Sequence, residues 1–283
     1  METIAVTGAT GQLGSRVARM LAERGVRQRL VVRDPSRAPE LDGAEVKVAS
    51  FEDEPALRAA LSGVQTLFMV SAHESRDRMP EHRSAVRAAV AAGVERVVYT
   101  SFMGASPQAT FTFAREHSLT ERLIAESGLR LTALRNSLYA DMLPLFVQDG
   151  VIRGPAGQGR VAWVARHDVA RLAVEALLDP AHADRVYDVS GPEPLDLHES
   201  ARILSAVTGR EIAYVPETDE EARASRAGAE DWQIAGWAGS YQALATGETS
   251  VTSHSIEHVT GRRPWGLEEF LRSEPESWRH LAA

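Results

Sequence analysis

The sequence predicts an α/β protein, a doubly wound parallel sheet with a smaller C-terminal α/β lobe. Two observations carry the sheet. Through the first 135 residues, short β-branched runs alternate with longer stretches in which Ala, Leu and Arg recur at three- and four-residue spacing, as strands and crossover helices do. The first run also leads into glycines at positions 8, 11 and 14, directly ahead of a helical pattern. A third observation marks off the lobe: after Arg135 the alternation loosens, and Gly150, Gly154, Pro155, Gly157 and Gly159 read as a loop-rich crossing.

Strands are expected at Ile4 to Thr7, Leu30 to Val32, Val46 to Val48, Thr66 to Val70, Val97 to Thr100 and Leu131 to Leu134, with helices at roughly 13–24, 54–61, 80–92 and 114–127. Pro55 and Pro80 fit first helical turns, where a missing N–H costs nothing, and Gly25, Gly93 and Gly128 fit helix ends. Beyond 135, strands are expected at Arg185 to Val189 and Ile212 to Val215, and helices near 168–178, 196–207 and 217–246. Asp168 reads as an N-cap, and the acidic stretch 217–231 as a solvated helix face. The division falls near 135, with residues 136–283 forming mainly the lobe and lending some elements to the sheet.

The 31 basic and 39 acidic residues give a net charge of −8; Lys47 is the one lysine, and cysteine is absent. Mechanisms that need a lysine elsewhere, a thiolate, a disulfide or Cys-ligated zinc are thereby excluded. The acidic surplus lies after Arg135, which disfavours a nucleic-acid surface and leaves the first half better suited to an anion. No apolar run approaches the ~18 residues of a membrane span. The N-terminal run enters a strand pattern without a basic and apolar leader, so the cytoplasm is the expected location. The histidines show no metal-ligand spacing, and no metal is expected.

Gly8-Ala-Thr-Gly-Gln-Leu-Gly14 stands between the first strand and the first helix. There the backbone can turn tightly and approach a pyrophosphate, while the helix N-terminus offers unpaired N–H groups and partial positive charge. A Rossmann-type dinucleotide site is expected, with Gly8, Thr10, Gly11, Gln12, Leu13 and Gly14 as its phosphate loop. Arg33 follows the second strand, where an NAD site usually carries a ribose-binding carboxylate; an arginine there favours the 2′-phosphate of NADP(H). Asp34, followed by Pro35, reads as a turn or cap residue. Ser71 and Asn136, at later strand ends, are expected cofactor contacts.

With Val31-Val-Arg-Asp-Pro35, Ala91-Ala-Gly-Val94, Tyr99-Thr-Ser101 and the stretch from Glu116-His117 through Leu134-Arg-Asn136 to Tyr139, the chain resembles the NmrA-like atypical short-chain dehydrogenase/reductases, and within them the NADPH-dependent quinone oxidoreductase 2 group. The resemblance covers most of the chain. It implies an NADP(H)-binding Rossmann domain at 1–135, a mainly substrate-binding lobe at 136–283 that completes the pocket, and hydride transfer to a quinone or related carbonyl. Some proteins of this family hold the dinucleotide without turning it over and act as redox sensors.

Departures from the family pattern narrow the chemistry. Typical short-chain reductases carry Tyr-x-x-x-Lys on the helix after the fifth strand, the tyrosine protonating the substrate oxygen and the lysine lowering its pKa and holding the ribose. Aligned on Ser127-Gly128, that helix here has Phe113 at the tyrosine and His117 at the lysine. Ala49-Ser50-Phe51 stands where the family has Ala-Asp-Tyr beside the adenine, which leaves Phe51 as the contact expected there. A reduced ketone is an alkoxide, whereas a reduced quinone is a phenolate whose conjugate acid is stronger by roughly six pKa units, about 8 kcal/mol of anion stability. For the phenolate, solvent or a weak hydrogen bond suffices.

The candidates for that hydrogen bond are Ser101, His117 and Tyr139. Ser101, at a strand end, reaches substrate or cofactor; His117 either bonds the ribose and donates a proton near neutral pH or is a packed polar residue; Tyr139 either lines the nicotinamide pocket or packs in the core. The expected function is NADPH-dependent hydride transfer to a quinone or related aromatic carbonyl without a Tyr-x-x-x-Lys pair. Two alternatives stand beside it: a ketoreductase of a polyketide-like aromatic ketone with substrate-assisted protonation, and a non-catalytic NADP(H)-binding redox sensor. The expected partner is a small aromatic molecule, with a homodimer left open and neither nucleic acid nor membrane.

Overall fold

A computed structural model describes residues 3–281. In its first half, strands β1 (Ile4–Thr7), β2 (Gln28–Val32), β3 (Ala44–Val48), β4 (Thr66–Met69), β5 (Arg96–Phe102) and β6 (Arg130–Asn136) alternate with helices α1 (Gln12–Glu23), α2 (Glu54–Leu61), α3 (Met79–Ala92) and α4 (Thr112–Glu126). The second half supplies β7 (Val147–Gln148), β8 (Val151–Gly154), β9 (Arg160–Val161), α5 (Arg166–Leu178), β10 (Arg185–Val189), β11 (Leu195–Asp196), α6 (Leu197–Thr208), β12 (Ala213–Pro216), α7 (Asp219–Ala224) and α8 (Asp231–Ala245), then the short helices α9 (Ser255–Thr260) and α10 (Leu267–Ser273).

Seven strands form the main sheet in the order β10-β6-β5-β4-β1-β2-β3. β1 pairs in parallel with β2 on one side and β4 on the other, Val6 lying opposite Leu30 and Phe68. All four β1 residues are buried, as expected of a central strand covered on both faces. The chain winds outward in opposite directions on the two sides of β1, so the order reverses between β1 and β4; ligands of open α/β sheets bind at such a switch point, beyond the carboxyl ends of the strands. This is the doubly wound Rossmann-type fold the sequence predicts.

Contacts group the chain into two compact units. One comprises the N-terminal segment to Ser101, Glu116–Arg135 and Val169–Tyr187; the other comprises Phe102–Arg115, Asn136–Asp168 and the segment from Asp188 onward. The division near 135 is therefore one of several crossings. Most of α5 and β10 returns from the second half because β10 is the last strand of the sheet, beside β6. Arg96 of β5 fastens this return: its buried guanidinium donates to the carbonyls of Ala176, Leu177 and Asp179 at 3.0, 2.7 and 3.1 Å, satisfying the exposed end of α5.

The second unit has its own core, with Leu143, Ile152, Trp163, Leu204 and Phe270 among its buried residues, and two small sheets, β12-β8-β7 and β11-β9. The segment from Gly150, expected as a loop, contains β8. Asp149 and Gly150, at φ 50° and 74°, make the two-residue turn that joins antiparallel β7 and β8, as Asp-Gly does in tight hairpins. The helix expected over 217–246 is two helices, with Gly228 at φ 112° between them. Asp168 is no N-cap, since α5 begins at Arg166; its carboxylate is buried and accepts the Trp265 N–H at 2.7 Å. Among the described residues no helix is long and apolar enough to cross a membrane.

Candidate functional site

The loop between β1 and α1 makes an anion site from backbone alone. Gly8 lies at φ 63°, in the left-handed region, and its carbonyl accepts the Gly11 N–H at 2.9 Å. A Cβ on Gly14 would stand 2.2 Å from that same carbonyl oxygen, so only glycine lets the first turn of α1 pack against the loop. Gly11 is the N-cap and brings no side chain to the helix end, and the first turn holds no acidic residue. The N–H groups of Gln12, Leu13 and Gly14 thus remain at the positive end of α1. The Leu13 side chain is buried and the Gln12 side chain exposed, so what Leu13 can offer a ligand is its main chain.

Around this loop lies a cleft of about 230 Å³. Gly8, Thr10 and Gly11 line it together with Arg33 after β2, Ser50 and Phe51 after β3, and Ser71, Ala72 and His73 after β4. All follow the carboxyl ends of strands on the two sides of the switch point. Arg33 is exposed at this cleft. Asp34 is occupied locally: it accepts the Ser36 N–H and hydroxyl at 3.0 and 2.6 Å, which hold its carboxyl below the usual carboxylate range, and it caps the turn that begins at Pro35. Ser50 stands where the sequence lacks the acidic residue expected beside the adenine. Ala72 and His73 were not singled out as contacts; they belong to no motif, and only the place where β4 ends brings them to the cleft.

Ser101 and Asn136 are not among the residues lining that cleft. The Ser101 hydroxyl is buried and donates to Glu121 of α4 at 2.5 Å; Arg135 clasps the same carboxylate through Nε and Nη2 at 2.9 and 2.6 Å. Glu121 lies one helical turn after His117, and that spacing was the one available hint that the two share a face. His117 is buried, with Nδ1 2.8 Å from the Tyr99 hydroxyl. Burial, reinforced by the Arg78 charge, pushes its pKa well below the ordinary histidine value. The imidazolium form is therefore disfavoured, and the neutral ring keeps its hydrogen-bonding capacity.

Phe113, expected at the tyrosine position of typical short-chain reductases, is packed edge-on against Phe111 and Trp232, with ring centroids 5.5 and 6.4 Å away. Lys47 lies on β3 and pairs with Glu45 at 2.6 Å. In the other unit, the Tyr139 hydroxyl accepts from Asn136 Nδ2 at 3.1 Å, and the Arg166 guanidinium lies 4.0 Å from the centre of its ring. Burial raises the phenol pKa, and Arg166 opposes that rise. The Tyr139 proton meets no acceptor among the described residues. Asn136 is buried, and its Oδ1 likewise has no partner among them.

A family profile described as NAD(P)H-binding matches residues 8–180, more than half of the chain. The chain belongs to this NAD(P)H-binding family. Among its relatives is quinone oxidoreductase 2 of Escherichia coli, 36% identical over an alignment of 219 residues, with 75% of this chain and 76% of that protein covered. The NAD(P)H azoreductase of Xenophilus azovorans is 33% identical and covers 80% of each chain. The solved structure of the E. coli NADPH-dependent quinone oxidoreductase in complex with NADPH superimposes with a TM-score of 0.86 at 32% identity, covering 99% of this chain and 100% of that one. Within the family the chain stands with the NmrA-like oxidoreductases as an NAD(P)H-dependent reductase.

Proposed function

We propose that this reductase transfers hydride from NADPH to a quinone or a related aromatic acceptor whose reduced form is a stabilised anion. The observation that carries this is the state of α4: Phe113 is closed in an aromatic cluster and His117 is buried with its charged form disfavoured, and these are the residues expected where typical short-chain reductases keep an acid and a cation. A site without that pair favours acceptors that need little help with their proton.

Bound NADPH would supply the hydride. Gly8, Thr10 and Gly11 with the N-terminus of α1 are the proposed seat of the pyrophosphate, and Phe51 and Ser71 flank the nucleoside portions. Arg33 pairs with the 2′-phosphate, a role supported by its exposure at the cleft and by the commitment of Asp34 to its own turn. Of the three side chains expected to assist the acceptor oxygen, Tyr139 is the proposed hydrogen-bond donor: its hydroxyl accepts from Asn136 and keeps its own proton to give, whereas the Ser101 proton goes to Glu121.

The test is NADPH oxidation, followed by loss of nicotinamide absorbance, with a panel of quinones, azo dyes, aromatic ketones and aliphatic ketones. Quinones are expected to turn over at least about a hundredfold faster than aliphatic ketones, in line with the difference in anion stability. Tyr139→Phe is expected to lower kcat about tenfold, the ~1.4 kcal/mol of one hydrogen bond. Preference for ketones able to donate their own phenol proton would replace this reading with a ketoreductase. Tight NADPH binding with no turnover of any acceptor would leave a dinucleotide sensor.

A further inference from the structure

β4 ends at Met69, and the four residues that follow line the dinucleotide cleft. Beyond a strand end the backbone has no ladder to bond to, and its polar groups must find other partners. Side chains supply them. The Val70 N–H donates to Thr7 Oγ1 at 2.9 Å, the Ser71 N–H to Thr100 Oγ1 at 2.8 Å and the Ala72 N–H to His82 Nε2 at 3.0 Å; the Ala72 carbonyl accepts from Arg78 Nη1 at 3.1 Å. Thr7 and Thr100 are strand residues on either side of β4. His82 and Arg78 come from α3 and the residue before it, so both backbone polar groups of Ala72 are held from one stretch of chain.

These two side chains are themselves held. Because Nε2 of His82 accepts an amide N–H, its ring proton sits on Nδ1, which lies 2.8 Å from Thr120 Oγ1; that hydroxyl passes its own proton to the Glu116 carbonyl at 2.8 Å. Arg78 Nε donates to Glu116 Oε2 at 2.6 Å. His82 is fully buried and Arg78 nearly so. Burial, with the Arg78 charge beside it, pushes the His82 pKa down to about 3, so Nε2 remains an acceptor throughout the neutral range.

We propose that His82 and Arg78 are positioning residues that set the 70–73 strip against the nicotinamide half of the bound dinucleotide. The proposal rests on the NADPH reading above. With Arg33 and Phe51 beyond β2 and β3, and the phosphate loop beyond β1, a dinucleotide laid across the switch point places its second mononucleotide beyond β4. That is where Ala72 lies. Without His82 its N–H has no acceptor and its peptide plane is no longer fixed, although the glycine loop and Arg33 stay as they are.

The experiment is isothermal titration of the full chain with NADPH and with 2′,5′-ADP, which carries only the adenosine end. His82→Leu is expected to raise the Kd for NADPH about tenfold (~1.4 kcal/mol) while that for 2′,5′-ADP stays within about twofold. His82→Gln, whose amide oxygen can take the place of Nε2, is expected to recover most of the lost affinity. Thr120→Val, which removes the partner that orients the ring, gives a milder test of about threefold should the leucine variant fail to fold. Equal weakening for both ligands would make His82 a stabilising residue only and overturn the proposal, as would an unchanged Kd for NADPH. A wild-type chain that binds neither ligand would overturn the NADPH reading itself, and this inference with it.

Discussion

Arg33 shows how far one residue's chemistry reaches without any fold around it. Its place after β2 suggested a 2′-phosphate partner, and the one local competitor, Asp34, is spent on the Ser36 N–H and hydroxyl. A guanidinium–phosphate pair is charge-assisted and contributes roughly 1.5–3 kcal/mol. Arg33→Ala is therefore expected to raise the KM for NADPH by between about tenfold and a hundredfold and to leave that for NADH nearly unchanged, as steady-state kinetics with the two cofactors would show. Equal effects on both would remove the phosphate assignment. His117 marks the opposite case. Its residue type suggested a proton donor near neutral pH, but a histidine's pKa belongs to its surroundings, and here burial sets it.

At the scale of the element, α4 is the helix on which the sequence places the expected departure from typical short-chain reductases. Phe113 lies among Phe111 and Trp232, and a Cβ on Gly236 would come within 2.7 Å of its ring, so this end of the helix is packed without slack. A tyrosine at this position would put a hydroxyl into that cluster. Phe113→Tyr is expected to lose about 1–3 kcal/mol of stability in urea denaturation and to leave the rate of NADPH oxidation no higher, because the added hydroxyl is forced into a tightly packed aromatic cluster. A faster enzyme of unchanged stability would count against this account of α4. Helix positions and strand runs were readable because their periodicity is local; β8 was missed because four residues beside glycines carry too little periodicity to separate strand from loop.

The stability of the whole molecule carries the signature of its buried polar groups. The His82 pKa is lowered to about 3 in the folded chain against an ordinary 6.5, so in that window the unfolded chain binds more protons and stability falls as the pH drops from about 6.5 towards 3. Between pH 7 and 5 this histidine alone accounts for about 2 kcal/mol of lost stability. His117 acts in the same direction, and the raised Glu116 pKa in the opposite one. Comparison with a variant isolates the effect. Urea unfolding of His82→Gln at the two pH values is expected to show a drop about 2 kcal/mol smaller than that of the wild type; equal drops would mean that His82 is charged in the folded chain.

By itself the sequence determined the order of strands and helices through the first 135 residues, the glycine turn between β1 and α1 and the place of Arg33 after β2. Each is encoded within one strand-turn-helix stretch, where a glycine's φ or a strand's β-branching acts on its immediate neighbours. Tertiary structure alone decided what the buried polar groups do. Ser101 gives its proton to a carboxylate 20 residues away, His82 meets Thr120 across 38 residues, and Asp168 holds a backbone amide 97 residues distant. Those partners are set by the crossing of the chain between β1 and β4 and by the return of β10 to the sheet. A hydrogen bond acts over about 3 Å of space, and spacing along the chain carries no record of that distance until the sheet has formed.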